Sequence, residues 1–505
     1  MLKSIRPLVF FPTFLILVGA LVFSLVDLKQ FLHYTNLANG FVLDHFSWLF
    51  SLGSFYLLVL VVITYCSKLG DIRIGGEQAK PRIGKVRWFM IVLCTTLAVG
   101  VLFWTTAEPL YHLHSPPKSL GIEPNSPNAV LFAFSAMFLH WGPTPYAIYA
   151  VPGLIFALAF YNLKMPFSIT SSLKPVLGNW VMGKRGDIID ALALYSLVVG
   201  MASSLGTGAL TLVGGISQFL PIERNAWSLG IVIAIIVAVF VFSAASGLIK
   251  GIARLSMVNF WLLIALFAFV FLFGPTQYIL GIGVEGLGAY LENFFRLSLF
   301  TGQAANDPWP HSWSVFYWAV WFAWAPITAM FLGKIARGYT VREFIMVNVI
   351  LPSLFVLLWI AVFSGTAIFM DQSSGGGLYQ ILNDGGIEQL LYHIFGKLPL
   401  GMVSTLVLVF VAFVSYVTAA DSSTDAIGDL CVKDFNSESQ DNTGMGIKVL
   451  WGTIIGLVAW IMVSTVGVSG IKSLSNLGGL PATLIILCCS ATLIKWIKKP
   501  ELLKR

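Results

Sequence analysis

Tyr317, Trp321 and Trp324 fall at i, i+4 and i+7 in the segment SVFYWAVWFAWAP, with Trp318 beside them. A helix there presents large aromatic faces along one side. A second set lies in His140-Trp141-Gly142-Pro143-Thr144-Pro145-Tyr146-Ala147-Ile148-Tyr149, where one glycine and two prolines sit among three aromatics. Trp141 and Tyr149 are about two helical turns apart. Aromatic faces around a gap suit one kind of ligand well: a cation with no N–H to donate, a quaternary ammonium, held by the ring quadrupole and by shape. An interfacial belt is the ordinary alternative for Trp and Tyr in a chain that is 14% aromatic, and Trp313, near the start of its segment, fits a belt. The clustered set, beside helix-breaking residues, reads as a cavity wall.

Ionisable groups inside apolar segments are the second clue, because each is costly in hydrocarbon. Glu108 precedes Pro109, and Asp421 lies in Val417-Thr418-Ala419-Ala420-Asp421-Ser422. Glu108 also reads as a helix-end carboxylate near water. Asp421 and Thr418 offer carboxylate and hydroxyl oxygens to a hard ion such as sodium, or to a proton. The run Ser203-Ser204-Leu205-Gly206-Thr207-Gly208 suits close helix packing. The sequence holds no HExxH or GxSxG, its seven histidines are scattered, and its five cysteines have no metal-site spacing. An enzyme, a zinc site and a disulfide framework are therefore not expected.

The elements that position these residues follow from composition. Of 505 residues, 57% are hydrophobic and 10% charged, too little charge to cover a water-soluble fold. Twelve transmembrane helices are predicted, at about 8–28, 45–67, 88–112, 129–160, 189–219, 226–247, 255–276, 310–333, 343–370, 399–425, 448–468 and 474–494. The first apolar run has no evident small-residue cleavage site after it and reads as a retained helix. Alternating loops then hold 24 of the 30 basic residues on one side against 6 on the other. This places both termini in the cytoplasm and explains the net charge of +7 by topology, with no nucleic-acid partner. Lys472 counts among the outer six. Segments 284–300 and 376–396 are amphipathic and are expected to lie along the outer surface. The interruptions at Glu108-Pro109 and Ala325-Pro326 match in two halves, the pointer to an inverted repeat. One transmembrane domain, residues 1–505, thus divides into two leading helices (1–86), a first five-helix repeat (87–276) and a second (310–495).

The segments SWSVFYWAVW (312–321), RGYTVREF (337–344), HWGPTPYAIY (140–149), FWTTAEPL (103–110), GLIKG (247–251) and TAADS (418–422) stand in the order of the betaine/choline/carnitine transporter family, which the whole chain resembles. The resemblance implies an all-α, polytopic, leucine-transporter-like 5+5 fold with two extra N-terminal helices, and a homotrimer in the bacterial inner (plasma) membrane. It implies secondary active transport of a quaternary-ammonium compound (betaine, carnitine or choline) by alternating access. By position, the substrate cage would comprise Trp141, Tyr146 and Tyr149 with Trp321 and Trp324, and Tyr111 as in the carnitine branch. The chain departs from the family at Val320, Ser314 and Tyr146, and Thr96-Leu97-Ala98-Val99-Gly100 replaces a glycine-rich run. At the family's ion site Thr418 is kept and Ala419 replaces a hydroxyl residue; Asn259 stands where sodium-independent exchangers carry arginine. Sodium as coupling ion and carnitine-type exchange are both compatible with these residues. So are other solutes of the kind, such as dimethylsulfoniopropionate or ectoine. A channel would need a polar pore lining that the few intramembrane charges do not supply.

Overall fold

The computed structural model describes residues 5–245, 249–432 and 445–503. Gly247 and Leu248 of the GLIKG segment, and Lys433, lie outside them. The chain is helical nearly throughout. Among the described residues eleven helices are long and apolar enough to cross a bilayer, and a third span bent by 55° between Lys85–Leu97 and Gly100–His114, taken as one, brings the number to twelve. Helices Thr276–Ser298, Gly377–Gly385 and Ile387–Lys397 fall outside that set, where the amphipathic segments were expected.

Two elements differ from expectation. The second span runs from Leu28 to Cys66, 39 residues, about 58 Å at the α-helical rise. Its first part lies outside the predicted 45–67, where Gln30, His33, Thr35, Asn36 and Asn39 depress hydropathy. Those residues lower burial without breaking a helix, and the Asp27 carboxylate caps the start by accepting from the Gln30 N–H (3.0 Å). The fourth span is broken where the third and eighth were expected to be. Its halves, Pro127–Trp141 and Pro143–Tyr161, meet at Gly142, whose φ −83°, ψ −140° is not helical. A Cβ on Gly142 would lie 2.4 Å from the Phe138 carbonyl oxygen, so glycine alone fits. Pro143 then starts the second half at a position where no N–H is needed. Pro109 and Pro326, by contrast, are carried inside continuous helices; the bend of the third span lies earlier, at residues 98–99.

The eighth span (Ser314–Lys334) lies at the centre, packed on the second half of the fourth and on the twelfth (Val468–Lys498). The loops expected on one side pair with one another. Ile74 and Val341 pair the loop after the second span with the loop after the eighth (Ile74 N to Tyr339 O 2.9 Å, Val341 N to Ile72 O 3.0 Å). Gly338, at φ +91°, lets that loop pass Lys80, whose carbonyl carbon lies 2.3 Å from where a Cβ would stand. Arg342 pairs there with Asp71. At the same end Arg6 meets Asp187 (2.5 Å) and Asp190 (2.6 Å), and Lys334 meets Asp429 (2.8 Å). At the other end Arg224 meets Glu388 (2.6 Å) and His114 meets Asp371 (2.7 Å). Among the described residues no ion pair joins the two sets.

Candidate functional site

The break at Gly142 points both halves of the fourth span at the eighth. Trp141 ends the first half; Tyr146 and Tyr149 occupy the first two turns of the second. All three rings converge on Trp321. The ring centroids lie 5.8 Å (Trp141), 5.8 Å (Tyr146) and 5.1 Å (Tyr149) from it, at 79°, 54° and 61°. Edge-on aromatic pairs of this kind hold ring orientation as well as burying area. A pocket of about 580 Å³, its opening included, lies against them. Trp141, Tyr149, Trp321 and Trp324 line it, with Trp104, Phe316, Tyr317 and Val320. Thr95, Thr96, Ser203, Ser204 and Thr207 form its polar side, so the Ser203–Gly208 run supplies both a wall and close packing. Among the described residues no charged one lines it. Trp321 Nε1, at its wall, is buried without a hydrogen-bond partner among the described residues.

Five of the six expected cage residues are thus brought together, although Tyr146 supports Trp321 from outside the lining. Tyr111 is not among them. It lies against Trp313 (5.4 Å) and Tyr379 (6.3 Å), nearer the outer end. The continuous helix through Pro109 carries it about two turns past Trp104, which lines the pocket in its place. Val320 is a small wall, and Trp104 and Phe316 supply further aromatic surface.

For Glu108 the intramembrane reading holds and the helix-end reading, near water, does not. The residue is wholly buried, away from water, and its carboxylate accepts four hydrogen bonds. Nδ1 of His140 (2.6 Å) and Nε2 of His112 (3.1 Å) donate to Oε1. Trp141 Nε1 (3.0 Å) and the Tyr317 hydroxyl (2.5 Å) donate to Oε2. Nε2 of His140 meets Ser314 Oγ at 2.8 Å. Glu108, His112 and His140 each bring one ligand-type atom within 4.8 Å of the others, a closeness that these hydrogen bonds account for. The network fixes Trp141 and Tyr317 from behind and so positions the cage. His112 is one helical turn away, but His140, Trp141 and Tyr317 lie 32 to 209 residues from Glu108 along the chain, which is why spacing gave no signal of the network.

The three ion-site candidates have separate partners. The Thr418 hydroxyl donates to Val414 O (2.7 Å), leaving its oxygen lone pairs free. Ser422 Oγ donates to Thr418 O (3.1 Å) and lies 3.3 Å from Thr95 Oγ1 of the third span. Asp421 faces away, accepting from Ser243 of the sixth span (2.7 Å). Asn259 accepts from Ser415 (3.1 Å), and its Nδ2 is buried without a partner.

A broken helix crossing a continuous one, with an aromatic pocket at the crossing, is the arrangement of a secondary carrier of the leucine-transporter type. A solved structure of a sodium-coupled sialic acid symporter in its outward-open state shares the fold, at TM-score 0.50 and 14% identity, over 89% of this chain and 86% of that one. The family model described as betaine/carnitine/choline family transporter matches residues 8–502. The chain belongs to that family, whose function is secondary transport of quaternary-ammonium compounds and related compatible solutes. Among its relatives, the glycine betaine transporter OpuD of Bacillus subtilis is 31% identical over 99% of this chain and 96% of its own length. The ectoine/hydroxyectoine transporter of Virgibacillus pantothenticus is 29% identical over 96% and 94%.

Proposed function

We propose that this protein carries a small onium solute of the glycine betaine or ectoine kind through the pocket formed by Trp141, Tyr149, Trp321 and Trp324, by alternating access around the fourth and eighth spans. The observation that carries the reading is the convergence of three rings on Trp321 beside a pocket with no charged lining among the described residues. Such a pocket binds a methylated or delocalised cation through ring faces and excludes strongly hydrated ions, whose desolvation it does not repay.

Sodium is proposed as the coupling ion, held between the third and tenth spans. Thr95 Oγ1, Ser422 Oγ and the Thr418 carbonyl oxygen are neighbours there, and the Thr418 hydroxyl oxygen has lone pairs to spare. Neutral hard oxygens of this kind fit a monovalent cation; Asp421 is left out of the set because its contact is to the sixth span. Cytoplasmic termini are proposed on the basic-residue asymmetry; a bacterial plasma membrane and a homotrimer are proposed on the family resemblance.

The test is uptake of labelled glycine betaine, ectoine, carnitine and choline into proteoliposomes, with and without an inward sodium gradient and with empty or preloaded vesicles. Sodium-driven accumulation of one or more in empty vesicles is expected. Uptake that requires preloading and ignores sodium would replace symport by exchange, and uptake of none would refute the onium reading.

A further inference from the structure

Lys472 was expected in an outer loop, facing water. Instead it lies one turn into the twelfth span, half-buried, with its ammonium turned inward over three rings: Trp313 at 4.3 Å, Phe316 at 5.0 Å and Trp104 at 5.7 Å from their centroids. One N–H donates to the Ser312 carbonyl oxygen (2.7 Å). Two of these rings, Trp104 and Phe316, also line the pocket, as does Ile471, the neighbour of Lys472 in the chain. The ammonium therefore stands at the outer roof of the cage, sharing walls with it. Among the described residues it pairs with no carboxylate. The nearest anionic group in the network, Glu108, has both oxygens engaged by His140, His112, Trp141 and Tyr317.

An ammonium has three N–H donors. Here one is met by a carbonyl, and the charge lies over aromatic faces, a weaker partner than an anion. On the reading of the cage given above, a solute with its onium group against Trp321 extends any second group toward this roof. We propose that Lys472 sets the charge class of the solute. Its ammonium attracts the carboxylate of a zwitterion and repels a solute that is only a cation, so betaine-type and ectoine-type zwitterions are carried in preference to choline. The cage supplies affinity for the onium end, which both kinds of solute share. Lys472 supplies the discrimination between them, as a fixed charge does when it adds attraction for one ligand and repulsion for another.

The experiment is a pair of titrations of the purified full-length protein, following tryptophan fluorescence of the cage with glycine betaine and with choline. Wild type is expected to bind glycine betaine at least about tenfold more tightly than choline, a difference of about 1.4 kcal/mol. Lys472→Met, which keeps the length of the stem over the rings, is expected to reduce or reverse that ratio by about tenfold. Lys472→Arg, which keeps the charge, is expected to preserve it. A Lys472→Met protein that binds both solutes more weakly by the same factor would reduce Lys472 to a packing role and overturn the inference. Equal affinity of wild type for the two solutes would overturn it without any variant, while leaving the cage intact. Binding of neither by wild type would overturn the cage reading, and the inference with it.

Discussion

Replacing Glu108 by Gln is a one-atom change with a large expected effect, because the carboxylate accepts four hydrogen bonds and is wholly buried. A Gln has one acceptor oxygen and one NH2 that can only donate. If its oxygen serves the two imidazoles, its NH2 faces Tyr317 and Trp141. The Tyr317 hydroxyl can turn and accept, but an indole N–H cannot. The opposite flip sets the NH2 against both imidazoles, which must change tautomer to accept, and the N–H this puts on Nδ1 of His112 has no acceptor among the described residues. At least one buried donor is left unpaired, at about 1–3 kcal/mol, and charge-assisted bonds worth about 1.5–3 kcal/mol each become neutral ones. A total loss of about 3–5 kcal/mol in stability follows. Trp141 then loses its fixed orientation, and solute affinity falls by about 5- to 30-fold, the equivalent of about 1–2 kcal/mol. The assay is thermal unfolding in detergent together with binding of labelled glycine betaine to the same preparation. Wild-type melting and wild-type affinity in Glu108→Gln would refute the claim that this network positions the cage.

Three further outcomes are expected. Gly142→Ala places a methyl group 2.4 Å from the Phe138 carbonyl oxygen, so the broken span must shift; folded yield and solute binding should both fall sharply, by size-exclusion profile and ligand titration. Thr418→Ala removes a hydroxyl oxygen from the proposed ion site and should raise the sodium concentration for half-maximal uptake by about fivefold or more, each 1.4 kcal/mol being tenfold, with solute affinity at saturating sodium little changed. Asp421→Asn, whose contact is to Ser243, should leave that sodium dependence as in wild type. A large shift there would move the ion site toward the sixth span.

The parts of this account legible in the sequence are those set by composition and local order. Apolar runs fixed the twelve spans, and the alternation of basic loops agrees with the two segregated sets of ion pairs, Arg342–Asp71 at one end and Arg224–Glu388 at the other. Trp141, Tyr149, Trp321 and Trp324 were recognisable because each pair is close in one segment. The break at Gly142 was visible as a Gly-Pro pair, while Pro109 and Pro326 gave the same sign in helices that absorb them. Lone prolines in membrane helices are tolerated once neighbours satisfy the freed carbonyl. Tertiary placement was not legible. Glu108 looked like a helix-end carboxylate because its four donors come from three different spans. Lys472 looked like an outer-loop charge because a long apolar stem lets an ammonium lie well away from its own Cα.

The most direct test of the central claim, that an onium solute is held by rings around Trp321, is uptake of labelled glycine betaine and ectoine by proteoliposomes of wild type, Trp321→Ala and Trp321→Phe. Trp261→Ala serves as a control, since that tryptophan is exposed on the outer surface of the seventh span. A desolvated cation–π contact is worth about 2 kcal/mol, or roughly 30-fold in affinity. The account predicts no measurable uptake by Trp321→Ala, a partial loss in Trp321→Phe and full uptake in Trp261→Ala. Wild-type uptake by Trp321→Ala, in protein that is folded and inserted, would contradict it.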